Sequence, residues 1–241
     1  MITLAGIIGS GKSSLTEILS NELKSQPFYE PVDDNPVLPL FYKGNELAAA
    51  KRKAGLKDAT NPYAYLLQTF FLNRRFMMMK KAMQAPNNIL DRSIYEDAMF
   101  MRMNTEMGNA TQLEYATYQE LLQNMLSELT NAQPQQNNDL MVMIHVSYDT
   151  MLKRIQKRGR EYEQISSDPS LVDYYQRLLR YYDEFEKNYD LSEMLIIDGN
   201  KLDFVENIND RNLVLDLIED KLQTLGNLTA ADVRLLKQKR H

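Results

Sequence analysis

Short apolar runs along the chain alternate with longer segments in which apolar residues recur every three or four positions. The apolar runs predict β-strands at Ile2–Ile8, Phe28–Glu30, Asn88–Asp91, Leu140–Val146 and Met194–Asp198. The longer segments predict helices near 11–24, 62–85, 94–107, 111–131, 148–158, 169–189 and 203–224. Strands that are apolar along their whole length are typical of a parallel sheet with helices on both faces. The pattern therefore predicts an α/β fold with about five parallel strands.

Residues 1–241 are predicted to form a single domain, because no segment resembles an interdomain linker. The polar stretch 43–61 indicates a surface insertion, and 133–139 indicates a low-complexity loop. Thr229-Ala-Ala-Asp232 is typical of a helix start, so we expect an extra C-terminal helix at about 230–240.

Composition and charge narrow the class of protein. With 44% hydrophobic and 25% charged residues, the chain is typical of a soluble globular protein. Its formal net charge of −5 argues against nucleic acid as a partner, and no apolar run is long enough to predict a membrane span. The absence of cysteine excludes disulfides and thiolate chemistry. We expect a cytoplasmic protein without a cleavable targeting segment.

The most specific motif lies between the first predicted strand and helix. Residues 6–14 read Gly-Ile-Ile-Gly-Ser-Gly-Lys-Ser-Ser and match the phosphate-binding pattern G-x-x-x-x-G-K-[ST]. Backbone N–H groups of such a loop bind phosphate oxygens, assisted by the start of the next helix. The alternative, a glycine-rich turn without a ligand, is disfavoured by the strand before and the helix after. The residues expected to bind nucleotide phosphates are Gly6, Gly9, Ser10, Gly11, Lys12, Ser13 and Ser14.

Ser13 and Asp91 predict a Mg²⁺ site. In this motif the hydroxyl of Ser13 ligates the metal, and Lys12 supplies a charge for the β- and γ-phosphates. Asp91 ends a predicted strand of the same sheet, and ligands gather at the carboxyl ends of parallel strands. Its carboxylate can hold Mg²⁺ or its waters opposite Ser13, and the adjacent Arg92 can neutralise a phosphoryl group in transfer.

Gln68 and Arg75 lie two turns apart on one predicted helix, with Leu72 between them on the same face. An amide and a guanidinium among apolar residues suit a pocket for a heteroaromatic ring. The alternative is a pair of buried structural polar side chains, and the sequence leaves it open.

Arginines converge at the end of another predicted helix. Arg154 and Arg158 are one turn apart, and Arg160 follows a helix-ending glycine. Positive charges that converge repel each other unless an anion binds between them, and a phosphoryl group in transfer is the obvious anion. The alternative is a solvated basic face, but the acidic residues that follow favour a mobile lid over about 154–168.

Residues 200–203 read Asn-Lys-Leu-Asp and resemble the guanine-reading N-K-x-D motif of GTPases. The chain has no D-x-x-G, however, so the GTPase switch is missing. We expect a loop near the base of the donor nucleotide.

His145 lies in an apolar predicted strand. A core histidine with its hydrogen bonds satisfied is more common there than a catalytic one.

Together these motifs resemble the deoxyribonucleoside kinase family, in particular its bacterial deoxyadenosine-kinase-like branch. The resemblance covers almost the whole chain. It rests on the loop at 6–13, Glu30-Pro31-Val32, Gln68 with Arg75, Asp91-Arg92-Ser93-Ile-Tyr with Asp97, and Arg154-x-x-x-Arg158-Gly-Arg160 with Glu163. It implies a P-loop kinase fold with an arginine-rich lid, and a homodimer formed through helices within 94–131.

The resemblance also implies roles for single residues. Glu30 would accept the proton of a nucleoside 5′-hydroxyl, Arg92 would orient Glu30, and Asp91 would hold Mg²⁺. Gln68, Arg75 and Asp97 would contact the base, Glu163 and Tyr42 would bind the sugar 3′-hydroxyl, and the lid arginines would cover ATP. The residues expected to contact the nucleoside are therefore Glu30, Tyr42, Gln68, Arg75, Arg92, Asp97 and Glu163.

The expected reaction is ATP- and Mg²⁺-dependent phosphorylation of the 5′-hydroxyl of a deoxyribonucleoside. Deoxyadenosine, giving dAMP and ADP, is the first choice, because relatives that carry a carboxylate at the position of Asp97 handle amino-bearing bases. Met101 stands where relatives commonly have a stacking aromatic residue, which leaves deoxyguanosine and deoxycytidine as alternatives. The other hypotheses are a nucleoside monophosphate kinase and a non-enzymatic ATP-binding switch.

Overall fold

The structure is a computed structural model, and it describes residues 1–30, 35–132 and 140–240. These residues form two compact units. The sheet unit contains Met1–Tyr29, Ala82–Arg92 and residues 140–240. The helical unit contains Glu30 and residues 35–81 and 93–132. A single domain over 1–241 stays a prediction.

Five parallel strands form the sheet, which confirms the α/β fold expected from the apolar runs. They are β1 (Ile2–Ala5), β2 (Pro27–Phe28), β3 (Ile89–Asp91), β4 (Leu140–His145) and β5 (Glu193–Asp198). Their order across the sheet is β2-β3-β1-β4-β5. Every residue of β1 and β3 is buried, including the polar Thr3 and Asp91, and this burial is why the other residues of the two strands are apolar.

The register of the sheet brings the ends of β1 and β3 side by side. Leu4 pairs with Asp91, and the amide of Arg92 donates to the carbonyl of Leu4 at 3.0 Å. Because the chain leaves β1 at Ala5 and enters the phosphate loop, Asp91 at the end of β3 and Arg92 directly after it lie on the strand that neighbours the origin of this loop.

Helices account for most of the remaining described residues. Those of the sheet unit are α1 (Lys12–Leu23), α6 (Tyr148–Arg158), α7 (Leu171–Asn188), α8 (Ile208–Thr224) and α9 (Ala230–Arg240), with a 3₁₀ turn at Glu161–Glu163. Those of the helical unit are α2 (Leu38–Lys53), α3 (Ala64–Ala82), α4 (Ile94–Glu106) and α5 (Gln112–Ala132). No helix in the described ranges is long and apolar enough to cross a membrane.

Helix α2 is a departure from the sequence analysis, which predicts no helix here and treats 43–61 as a surface insertion. The helix buries Phe41, Gly44 and Ala48 at spacings of three and four residues. Glycine and alanine contribute little to a hydrophobic pattern, so this buried face is difficult to detect among the surrounding lysines. Asn61 at the end of the segment is also buried, and its side chain donates to the carbonyl of Phe41 at 2.9 Å.

The C-terminal helix predicted at about 230–240 is confirmed as α9. At its start, the amide of Asp232 donates to the hydroxyl of Thr229 at 3.1 Å, and the amide of Thr229 donates back to the Asp232 carboxylate at 2.9 Å. This reciprocal pair satisfies two N–H groups that the first turn of a helix leaves without partners.

Pro31, Val32 and the loop expected at 133–139 lie outside the described residues.

Candidate active site

The phosphate loop, residues 6–14, turns from β1 into α1. Gly6 has a φ of +145°, and a Cβ atom there would lie 2.7 Å from the carbonyl oxygen of Ile144. Glycine is therefore required at this position. The ammonium group of Lys12 donates to the carbonyl oxygens of Gly6 and Ile7 at 2.9 and 3.1 Å, so the lysine is held against its own loop.

Ser13 and Asp91, the two residues predicted to hold Mg²⁺, are in direct contact. The Ser13 hydroxyl donates to Oδ2 of Asp91 at 2.5 Å. Oδ1 of Asp91 is buried and has no hydrogen-bond partner within the described residues. A carboxylate and a hydroxyl are hard oxygen donors of the kind that Mg²⁺ prefers, and it binds through one or two carboxylates together with substrate phosphates. These residues therefore fit the metal.

Arg92 is buried immediately after β3 and has a φ of +79°, a left-handed value that is uncommon outside glycine. Its Nη1 donates a hydrogen bond to the hydroxyl of Tyr182 on α7. A strained backbone of this kind persists only where surrounding contacts hold it, and it is common in functional sites.

Arg154, predicted as a lid residue, is bound to the phosphate loop. Nη1 donates to the carbonyl of Ser10 at 2.8 Å, and Nη2 donates to the carbonyl of Gly199 at 2.8 Å. Burial lowers the pKa of its guanidinium from the ordinary value, and the carboxylate of Asp203 opposes this effect. Arg154 therefore connects α6, the phosphate loop and the segment 199–203.

The other two lid arginines contact Glu163. Arg158 forms an ion pair with the carboxylate of Glu163, and Nη1 of Arg160 lies 3.5 Å from its Oε1. Glu163 is buried, and the hydroxyl of Tyr175 donates to its backbone carbonyl at 2.8 Å. The residue expected to bind the sugar and two of those expected to bind ATP thus form one cluster.

In the helical unit, Gln68, Leu72 and Arg75 are all buried, so the shared helix face that the sequence predicts is present on α3. The guanidinium of Arg75 donates through Nη1 to the carboxylate of Asp97 and through Nη2 to the carboxylate of Glu30. It also lies 4.8 Å from the ring centre of Phe71. The structure therefore brings together three of the predicted nucleoside-binding residues.

Asp97 is positioned by the start of α4. The side chain of Ser93 accepts a hydrogen bond from the amide of Tyr95 at 3.3 Å, and the carboxylate of Glu96 accepts one from the amide of Ser93 at 3.1 Å. This capping box fixes the first turn of α4, which contains Asp97. Met101, one turn further along, is fully buried.

Tyr42 is half-buried on α2 and packs edge-to-face on Phe41, with ring centres 5.8 Å apart. Two aromatic residues that the sequence does not identify as functional contact predicted site residues of the sheet unit. Tyr182 binds Arg92, and the ring of Phe204 would lie 3.0 Å from a Cβ atom at Gly11. The sequence carries no signal for either role, because a buried aromatic residue at helical spacing indicates a core position.

Comparison with known proteins gives the family. A profile of deoxynucleoside kinases matches residues 2–223. The chain belongs to the deoxynucleoside kinase family. This confirms the resemblance recognised in the motifs, and it makes the chain a phosphotransferase enzyme.

The kinase is 55% identical over 228 residues to a Lactobacillus acidophilus protein named deoxyguanosine kinase, which covers 95% of this chain and 93% of the relative. It is 50% identical over 228 residues to the deoxyadenosine kinase of the same organism, covering 95% and 99% of the two chains. The structure of a deoxyadenosine kinase from M. mycoides with bound dATP matches with a TM-score of 0.67 at 28% identity, covering 92% and 98%. The P-loop kinase fold is thereby confirmed, while the roles of single residues stay predictions.

Proposed function

We propose that this kinase transfers the γ-phosphoryl group of ATP to the 5′-hydroxyl of a purine deoxynucleoside, with deoxyadenosine as the first candidate. The observation that carries this proposal is the position of Arg75 between two carboxylates. In this proposal Asp97 contacts the base, and Glu30 accepts the proton of the 5′-hydroxyl. One guanidinium thus links the recognition of the nucleoside to the residue that activates its hydroxyl.

Glu30 is the proposed general base. An ionised carboxylate can accept the proton of the 5′-hydroxyl as its oxygen attacks the γ-phosphorus, and Arg75 restricts the orientation of this carboxylate. Arg92 is the proposed cation for the phosphoryl group in transfer, because its charge is buried at the end of β3 beside the strand that leads into the phosphate loop.

The donor ATP is proposed to bind through the loop at 6–14 and through the lid arginines. Lys12 would exchange its bonds to loop carbonyls for bonds to the β- and γ-phosphates. Ser13 and Asp91 would hold Mg²⁺, which neutralises phosphate charge when bound. The buried Oδ1 of Asp91 supports this assignment, because a buried acceptor without a donor is costly unless a cation or water satisfies it.

Glu163 is the proposed partner of the sugar 3′-hydroxyl, together with Tyr42. Its ion pairs with Arg158 and Arg160 support a proposal in which the sugar-binding carboxylate and the lid arginines act together. A homodimer, a cytoplasmic location and the absence of a nucleic-acid partner stay predictions.

Deoxyguanosine is the second candidate, favoured by the 55% identity to a relative named deoxyguanosine kinase. Asp97 accepts hydrogen bonds and Arg75 donates them, so the pair can contact the 6-amino and ring nitrogen atoms of adenine or the N–H and 6-oxo groups of guanine. The residues that contact the base do not by themselves separate the two purines.

A panel of the four deoxynucleosides with ATP and Mg²⁺ tests the proposal through kcat/KM. We expect deoxyadenosine or deoxyguanosine to exceed both pyrimidine nucleosides by at least about tenfold, because wrong bases leave buried polar groups unpaired. Higher activity on dAMP than on deoxyadenosine would indicate a monophosphate kinase. ATP hydrolysis that does not depend on any nucleoside would indicate a switch protein. Either result would overturn the proposal.

A further inference from the structure

Tyr118 on α5 carries a buried hydroxyl that has no part in the proposed reaction. Its side chain is 0% exposed, and its hydroxyl oxygen has no hydrogen-bond partner in the described part of the chain. Buried polar atoms in proteins are nearly always paired, so an unpaired one calls for an explanation. A phenylalanine would fill the same space without this cost.

The surroundings of Tyr118 point to the proposed base-binding residues. Helix α5 packs against α4, the helix that carries Asp97. Burial raises the pKa of the Tyr118 phenol well above its ordinary value, the charge of Asp97 raises it further, and the charge of Arg75 opposes the rise. The packing of α5 on α4 and this electrostatic influence together place the phenol in the neighbourhood of the charged pair, and the raised pKa keeps it protonated near neutral pH.

The chemistry of this hydroxyl complements that of its neighbours. The carboxylate of Asp97 can only accept hydrogen bonds, and the guanidinium of Arg75 can only donate them. Nη1 of Arg75 already donates to Oδ1 of Asp97. A neutral phenol can donate or accept according to how its O–H group rotates. It can therefore accept a hydrogen bond from the amino group of adenine or donate one to the oxo group of guanine.

We propose that the hydroxyl of Tyr118 hydrogen-bonds the purine base of the acceptor nucleoside, which makes Tyr118 a further base-binding residue beside Gln68, Arg75 and Asp97. This inference rests on the proposed function. The nucleoside satisfies the buried hydroxyl, so the cost of leaving it unpaired in the free enzyme becomes affinity for the substrate.

Tyr118→Phe tests this proposal, because it removes only the oxygen atom. We expect kcat/KM for deoxyadenosine and deoxyguanosine to fall about tenfold, the value for one lost hydrogen bond in a buried site. The KM for ATP should not change, and the melting temperature should stay the same or rise. Loss of activity without loss of stability is a result that a purely structural hydroxyl would not produce.

Tyr115→Phe is a matched control on the same helix. Its hydroxyl is bonded to Gln119 at 3.0 Å, and we expect kcat/KM to stay within about twofold of wild type. The proposal is overturned if Tyr118→Phe has wild-type kcat/KM for both purine nucleosides, or if it loses stability and activity towards both ATP and nucleoside together. Equilibrium binding of deoxyadenosine without ATP gives an independent readout, expected to weaken about tenfold. If wild-type enzyme phosphorylates no deoxynucleoside, the proposed function fails instead.

Discussion

Nη2 of Arg75 donates a hydrogen bond to the carboxylate of Glu30, in a position where the arginine is buried and the glutamate is mostly buried. The two residues are 45 positions apart in the chain. Their contact connects a helix face suited to a nucleoside base with the carboxylate proposed to take up the proton of the acceptor.

Glu30→Gln should abolish most turnover while leaving ATP binding intact. Glutamine has the same shape as glutamate and still accepts a bond from Arg75, but it cannot take a proton. We expect kcat to fall about 10²- to 10⁴-fold, the range for a lost general base. Steady-state kinetics and a titration of ATP measure the two effects. Glu46→Gln, an exposed glutamate of α2, is the control, and a Glu30→Gln enzyme with near wild-type kcat would refute the assignment.

Arg75→Lys should weaken nucleoside recognition and stability together. A lysine keeps the charge but lacks the planar fork that reaches two carboxylates at once. We expect a loss of about 1–3 kcal/mol in the free energy of unfolding, because Asp97 is fully buried and would lose its hydrogen bond from Nη1 of Arg75. We also expect a higher KM for the nucleoside.

Urea denaturation and nucleoside kinetics measure these effects. Arg74→Lys is a suitable comparison, since Arg74 is exposed on the same helix and its guanidinium lies over Phe70 at 5.3 Å. We expect it to stay within about 0.5 kcal/mol of wild type. Equal effects of the two substitutions would argue against a special role of Arg75.

Tyr182→Phe should lower kcat by about tenfold, because it removes a hydrogen bond to the charged guanidinium of Arg92. Arg92 would remain buried but less well oriented for the phosphoryl group, so the KM for the nucleoside should not change. A comparison of kcat with KM separates this positioning role from a binding role. The control is Tyr189→Phe, directly after the end of α7, which removes a hydroxyl bonded to Ser192 at 2.8 Å. A change confined to the nucleoside KM would contradict the prediction.

The C-terminal helix gives a prediction about pH. The guanidinium of Arg240 contacts the carboxylates of Glu22, Asp216 and Glu219 at 2.5–2.6 Å. Burial raises the pKa of the Glu219 carboxyl above its ordinary value, and its bonds with Arg240 oppose this. A carboxyl whose pKa is higher in the folded state contributes stability below its unfolded pKa and loses it as the pH rises through the folded pKa.

Glu219→Gln removes this titration. The unfolding free energy of wild type, relative to that of Glu219→Gln, should therefore fall as the pH rises through the window just above about pH 4.3, the ordinary glutamate pKa. At higher pH the difference should become constant. Urea denaturation at a series of pH values measures it. A difference that is constant throughout would contradict the raised pKa of Glu219.

Some features of this kinase are determined by the sequence alone, because they depend on residues that are close together in the chain. The loop at 6–14 is a contiguous motif, β1 and β4 are continuous apolar runs, and the start of α9 needs only Thr229 and Asp232. Such patterns act through local backbone geometry, so they can be recognised without knowing what packs against them.

Other features were decided only by the tertiary structure. The sequence pattern does not predict helix α2, because its buried face consists largely of glycine and alanine. The contacts of Arg75 with Glu30, of Arg92 with Tyr182 and of Arg240 with Glu219 join residues from separate elements. The sequence indicates which side chains can carry charge or donate hydrogen bonds. Which of them meet depends on how the helices and strands pack, because a hydrogen bond needs its two atoms within about 3 Å.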